Sequence, residues 1–120
     1  MPLPKGTLIE RLSRHRQIKI RVIGRKSGRT ISIPVWFVFE NGRLYLLPVQ
    51  GSDTQWYKNV LHNPQIRINA RGVGAQFPAS PLTAAQAVNS VVEKFREKYG
   101  AKDVKKYYSK FDAALEVKLD

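Results

Sequence analysis

The chain has 120 residues, 21 Lys and Arg against 9 Asp and Glu, a formal charge of +12, 42% apolar residues and no cysteine. That length and apolar content fit one domain, residues 1–120, with its own core. The absence of cysteine excludes disulfides, thiolate metal sites and thiol catalysis, and fits a reducing cytoplasm.

His15 and His62 are too far apart in sequence to form a metal-ligand pair. No stretch reaches the roughly 18 apolar residues of a membrane span, and the N-terminus lacks the apolar run of a signal peptide. A cytoplasmic protein is the expectation. The charge is uneven: residues 1–29 hold nine basic side chains and one acid, Glu10. Such a field attracts anions, whether nucleic acid, acidic lipid or a phosphorylated small molecule.

In chain order, Thr7 is placed to cap a helix over Leu8–Arg16, with Leu8, Ile9 and Leu12 on one face. Ile18, Ile20 and Val22 then alternate with Lys19 and Arg21, which predicts a half-buried strand. The turn Gly24–Arg29 follows. Thr30–Glu40 is rich in β-branched and aromatic residues and predicts a long strand, with Pro34 marking a bulge or an edge. Asn41-Gly42 signals a tight hairpin into a returning strand over Arg43–Val49.

Asp53 or Thr54 is placed to cap a short helix that Asn63-Pro64 stops. Ile66 and Ile68 predict another strand, ending in a turn over residues 71–74. Ala75–Leu82 predicts a strand that two prolines make irregular or place at an edge. Thr83 to Gln86 has the spacing of a capping box, before an apolar stripe of Val88, Val91, Val92, Phe95 and Tyr99. Gly100 suits the helix end. Asp103–Lys110 predicts further helical turns, and Ala114–Leu119 a last strand. About six strands in hairpin order with three or four short helices describe a mainly β, antiparallel barrel.

Two constellations carry chemistry. The first is Gly24-Arg25-Lys26-Ser27-Gly28-Arg29. Its glycines permit a sharp turn with exposed amides, and its cations and hydroxyl suit a phosphate; a solvated basic hairpin turn is the alternative. It is not a P-loop, lacking that spacing. The second is Gln55-Trp56-Tyr57-Lys58-Asn59, where Trp56 is a core or cofactor contact and Asn59 an unusual choice inside a helix. Tyr107 and Tyr108 sit on a short Lys-rich helix, one expected to pack and the other to be exposed.

The order G-R-K-S-G, P-V-W-F, L-Y-L, W-Y-x-N-V and N-P, spanning about Ile20–Gly72, resembles the deazaflavin (F-420)-dependent nitroreductase and quinone reductase family of the FMN-binding split-barrel superfamily. The resemblance implies a split barrel, a homodimer, and a small oxidoreductase in which a deazaflavin or flavin reduces a conjugated acceptor such as a quinone or nitroaromatic. It implies that Arg25, Lys26, Ser27 and Asn59 contact the cofactor phosphate, with Gly28 and Arg29 completing the turn. Pro34, Val35 and Trp36 would lie along the ring face, with Leu47, Pro48 and Val49 across from it. Gln50 and Trp56 complete the candidate cofactor-binding set, and no side chain is assigned a catalytic role. Ile31 and Gln50 stand where many members carry a basic residue, which keeps FMN open as the alternative cofactor.

Trp36, Phe37 and Phe39 exceed what one small barrel hides, which also points to a dimer. A non-enzymatic flavin-binding module, or a basic module for anions or nucleic acid, is the alternative function. Against nucleic acid, Arg11, Arg14 and Arg16 lack interleaved aromatics.

Overall fold

The computed structural model describes residue 12, residues 15–70 and residues 72–119. Six antiparallel strands close a barrel in the order β1 (Gln17–Ile23), β2 (Thr30–Glu40), β3 (Arg43–Leu46), β6 (Ala114–Lys118), β5 (Val73–Leu82) and β4 (Gln65–Ala70). Three α-helices interrupt them: α1 (Gln55–His62), α2 (Ala85–Tyr99) and α3 (Ala101–Tyr107). The antiparallel split barrel expected from the sequence is the fold.

Alternation builds the core. Ile18, Ile20 and Val22 of β1 point inward, joined by Phe37, Leu44, Leu46, Ile66, Ile68, Leu115 and Val117. A second cluster lies outside the barrel, where Val88, Val91, Val92, Phe95 and Tyr99 of α2 pack on Val38, Leu47, Val104, Tyr108 and Ala114. The α2 stripe therefore covers the outer face of β2 and β3, as its helical spacing predicts.

The two longest strands each change partner midway. Thr30–Trp36 pairs with β1 and Phe37–Glu40 with β3. Likewise Val73–Pro78 pairs with β4 and Ala79–Leu82 with β6. Each half keeps one edge outside the ladder, which is how Pro34, Pro78 and Pro81 are tolerated within continuous strands. Of the two expectations for Ala75–Leu82, the edge is the one met: the strand is continuous, and each half has one unpaired edge.

Several other expectations change. Of the helix expected over Leu8–Arg16, only Leu12, His15 and Arg16 lie among the described residues; Leu12 is helical and buried, and the other two already lead out of the helix. Arg71, in the expected turn, lies outside them. β3 stops at Leu46 rather than Val49, because Pro48 cannot donate to a ladder. Thr54 is the N-cap of α1, but its hydroxyl accepts from the Gln50 amide at 2.8 Å instead of capping. The capping box at Thr83 does not form; Ala84 is the N-cap of α2, without a side-chain bond. The Asn41-Gly42 hairpin forms as expected, with φ 53° and 76°. Phe37 is fully buried inside the barrel and Phe39 packs on the core, so neither calls for a partner subunit.

One clamp ties the loop after β3 to the chain before β6. The Ser52 amide and hydroxyl donate to the two oxygens of Asp112 at 2.8 and 2.5 Å, and the Ser109 amide donates to the Val49 carbonyl at 2.8 Å. Gly51 sits at φ 55°, where a Cβ would lie 2.1 Å from the Asp112 carboxylate. Only glycine fits there. The Ser52 hydroxyl and amide hold the Asp112 carboxyl below its ordinary range.

Two predictions follow from packing and charge. Ile20→Ala should cost about 2–5 kcal/mol in urea unfolding, as core truncations do, whereas Ile31→Ala, at a 38% exposed site, should shift it by about 0.5 kcal/mol. Because the folded Asp112 carboxyl is depressed, its stabilisation is present above the unfolded carboxylate value and lost as pH falls through the folded one. Asp112→Asn should therefore lower the thermal midpoint at neutral pH, and the gap to wild type should close as the medium is acidified. A gap independent of pH would contradict the assignment.

Candidate functional site

The partner change in β2 creates the site. Because β3 ends at Leu46, nothing pairs with the second edge of Thr30–Trp36. Alternate N–H and C=O groups on that edge have no ladder partner among the described residues, and an unpaired strand edge is a ready template for hydrogen bonding. Beside it opens a cleft of about 450 Å³. Its walls are Ile33, Pro34, Val35 and Trp36 of β2, Leu47 and Val49 beyond β3, Trp56 of α1, Tyr107 and Tyr108 at the end of α3, and Gln17 of β1. The size and apolar lining are those of a small-molecule slot.

Stacking fixes the aromatic wall. Trp36 lies parallel to Tyr99 at 4.2 Å, with Tyr107 edge-on at 5.5 Å. The Tyr99 hydroxyl accepts from the Phe37 amide at 3.1 Å and lies 2.6 and 2.8 Å from the Arg16 and Phe37 carbonyls. Burial pushes the Tyr99 phenol up to about 12 and the Tyr108 phenol further still. Both rings are therefore neutral at physiological pH, Tyr108 as a wall of the slot and Tyr99 as the support stacked on Trp36. Of the tyrosine pair, Tyr108 packs and Tyr107 is 54% exposed, as the sequence predicts; both face the slot.

The basic turn stands at one end of this slot. A smaller concavity of about 230 Å³ is lined by Gly24, Arg25, Lys26, Ser27, Ile31, Gln55 and Asn59. No residue lines both cavities, but their walls come from the same elements: Ile31 and Ile33 are successive same-face residues of β2, and Gln55 and Trp56 are consecutive on α1. Inside the turn the Gly24 amide donates to the Arg29 carbonyl at 2.8 Å and the Gly28 amide to the Gly24 carbonyl at 2.9 Å. Gly28 has φ 71°, and a Cβ on Gly24 would lie 2.9 Å from the Ser27 hydroxyl. The Arg29 amide donates to that hydroxyl at 3.1 Å.

Arg25 fastens the turn to α1. Its guanidinium donates to the Asn59 Oδ1 at 2.7 Å and to the Gln55 Oε1 at 2.8 Å, and its amide donates to the same Asn59 oxygen at 3.1 Å. This employment of Arg25, and Gln55 as its partner, were not legible in the sequence. Asn59 is only 5% exposed, and its Nδ2 has no partner among the described residues. Buried polar groups are normally paired. The amides of Lys26 and Ser27 are likewise unpaired among the described residues. Donors of the turn and of the helix thus face one small concavity without a carboxylate.

Of the expected site residues, Pro34, Val35, Trp36, Val49 and Trp56 line the slot, and Arg25, Lys26, Ser27 and Asn59 line the concavity. Trp56 is also core, 7% exposed. Gly28 and Arg29 shape the turn without lining the concavity. Pro48 is buried behind Val49, and the exposed Gln50 is held by Thr54, so neither forms a wall. Gln17 and Ile33 line the slot without having been singled out. Ile33 belongs to the same strand pattern that identified Val35, and Gln17 carries no sequence signal. Among the described residues, no group of His, Cys, Asp and Glu could hold a metal, and no helix is long and apolar enough to cross a membrane.

Solved structures share this architecture. An F420-H2-dependent reductase, FDR-A, matches at 20% identity over 87% of this chain and 95% of its own, with a TM-score of 0.67. A protein solved as a domain-swapped dimer matches at 18% identity over 97% of this chain and 100% of its own, with a TM-score of 0.68. HutZ, the heme storage protein of Vibrio cholerae, matches at 15% identity over 94% of this chain and 87% of its own, with a TM-score of 0.69. At these identities the likeness establishes the split-barrel fold. No curated protein matches the sequence. Residues 8–118 match the family described as "Uncharacterized protein conserved in bacteria (DUF2255)", and the chain belongs to that family.

Proposed function

We propose that this protein is a small oxidoreductase that holds a deazaflavin or flavin in the β2 slot and reduces a conjugated acceptor such as a quinone or nitroaromatic. The observation that carries the reading is an apolar slot beside a donor-lined concavity, where the buried Asn59 Nδ2 has no partner among the described residues. A phosphorylated heterocycle matches both ends. Its ring fits between Pro34–Trp36 and Leu47–Val49, and its hydrogen-bonding edge suits the open edge of β2. Its phosphate would be held by the Lys26 ammonium, the Lys26 and Ser27 amides and Asn59 Nδ2. An F420-H2-dependent reductase among the structural relatives supports the same reading.

When bound, the cofactor supplies hydride transfer, two electrons and a proton, to an acceptor that takes its second proton from water. The chain holds the phosphate, fixes the ring against β2 and keeps water from the slot with Trp36, Trp56 and Tyr108. It needs no nucleophile. Arg25 acts by positioning the turn, since its guanidinium is already bonded to Gln55 and Asn59.

The test is titration of FMN and of the reduced deazaflavin into the purified protein, followed by absorbance and single-turnover oxidation with menadione. Lys26→Ala should weaken binding about tenfold, since a charge-assisted hydrogen bond is worth about 1.5–3 kcal/mol and 1.4 kcal/mol is tenfold. Its thermal midpoint should stay near wild type. Arg25→Ala should lose both affinity and stability, and the paired control Lys105→Ala with Lys106→Ala should lose neither. Equal affinities in all four proteins would sink the phosphate assignment, and cofactor binding without oxidation by any acceptor would leave a carrier.

We also propose a homodimer. Ile31, Val49 and Tyr107 are 38%, 40% and 54% exposed, and all three border the slot or the concavity. A second copy over this apolar rim would complete the enclosure, and a structural relative is itself a dimer. Light scattering should give twice the 13.7 kDa chain mass, and Val49→Lys with Tyr107→Lys should return it to one chain. A monomer at all concentrations, with and without cofactor, would overturn this.

A further inference from the structure

The slot has a second polar end. A groove of about 630 Å³, lined by His15, Arg16, Lys19 and Asn69 among others, shares Gln17 and Pro34 with the slot and so continues it. We infer that the acceptor is a conjugated acid whose planar ring stacks on the cofactor ring at the Gln17–Pro34 end of the slot and whose carboxylate is held by Arg16 and Lys19 at this mouth. The inference rests on the reading of the slot as the cofactor and acceptor site.

The register puts the cations within reach. Gln17 is directly opposite Trp36 and Lys19 directly opposite Pro34 across the β1–β2 ladder. Adjacent strands lie about 4.8 Å apart, so a group projecting from a ring at the Pro34 end of the slot meets Lys19 without crossing the barrel. Arg16 is held in place rather than loose. Its guanidinium carbon lies 4.9 Å from the centroid of Tyr99, the ring that also stacks on Trp36 at 4.2 Å. A cation anchored on an aromatic face loses less freedom when it engages a carboxylate.

The mouth is also electropositive among the described residues. No carboxylate lines the groove, and neither Arg16 nor Lys19 forms a salt bridge among the described residues. Lys98, with its Nζ 5.2 Å from the same Tyr99 ring, has its ammonium lowered to about 8, first by burial and then by Arg16. A bound anion would relieve that repulsion. The cofactor phosphate does not need this end. Its concavity lies at Ile31, and the five residues from there to Trp36 span about 17 Å of strand.

The test uses a matched pair of rings, anthraquinone-2-carboxylate and neutral anthraquinone-2-carboxamide, titrated at fixed ionic strength by quenching of Trp36 and Trp56 fluorescence. It needs no turnover. Wild type should bind the acid at least tenfold more tightly than the amide. Arg16→Gln with Lys19→Gln should bring the two to parity while leaving amide affinity and FMN affinity unchanged. Arg16→Lys with Lys19→Arg should restore the preference, and Lys26→Ala and the Lys105/Lys106 double variant should keep it. Equal affinity of acid and amide for wild type would overturn the inference, as would a preference that survives loss of both cations. A loss of deazaflavin affinity equal to the loss of acid affinity would overturn it too, by giving the mouth to the cofactor's own acidic tail. If FMN and deazaflavin fail to bind, the slot reading fails; if they bind while acid and amide are equal, only this inference fails.

Discussion

Everything at the site depends on one strand serving two sheets. β2 spends its first seven residues on β1 and its last four on β3, and a strand cannot leave one neighbour for another without exposing an edge. Elsewhere such an edge is a liability that proteins blunt with proline, charge or a covering element. Here Pro34 removes one donor, while Trp36, Trp56 and Tyr108 shelter the rest behind apolar area. β5 makes the same change of partner on the far side, where its prolines Pro78 and Pro81 stand on half-paired segments. The two crossings close the barrel, and one of them is left open enough to hold a ligand.

The basic turn is a second consequence of local chemistry rather than a loose cluster of charge. A turn carrying three cations repels itself. Arg25 keeps its charge but has its guanidinium solvated by the amide oxygens of Gln55 and Asn59, which also fastens the turn to α1. What remains exposed is Lys26 and Arg29, of which Lys26 lines the concavity. The same bonds explain an asparagine inside a helix. Asn59 lowers helix propensity, but its side-chain oxygen serves the turn and the residue lines the concavity.

Much of this was legible in the residues. The alternation of Ile18, Ile20 and Val22, the Asn41-Gly42 hairpin and the α2 stripe carried the strands and the main helix, because each is a short-range pattern that tertiary structure has no reason to override. The order of the glycines, the cations and the W-Y-x-N helix marked residues that line the concavity. The errors share a cause. Thr54 and Thr83 have the right spacing to cap helices, yet spacing does not reveal a competing donor such as the Gln50 amide, nor that α2 starts after Ala84. Phe37 and Phe39 looked too large for one chain because a linear tally of aromatics does not show that a strand changing sheets turns Phe37 inward. Arg25 could be identified as important but not as a clamp, since its partners lie 30 and 34 residues away.

The charge of the chain also constrains how two copies meet. On the outer face of the β1–β4 ladder, Arg21 stands directly opposite Arg67 and Lys19 opposite Asn69. Like charges in that relation are destabilising, so the arrangement is sustained by solvent or by an anion. A two-fold interface is isologous, with the same patch on each copy. Centred on this face, it would set Arg21, Arg67 and Lys19 against their own duplicates in a desolvated contact, where repulsion is stronger than in water. The rim made by Ile31, Val49 and Tyr107 carries no such penalty and has apolar area to bury. The two faces therefore divide the work: the cationic sheet keeps copies apart and leaves Lys19 facing solvent at the slot mouth, while the apolar rim is the surface on which association costs least.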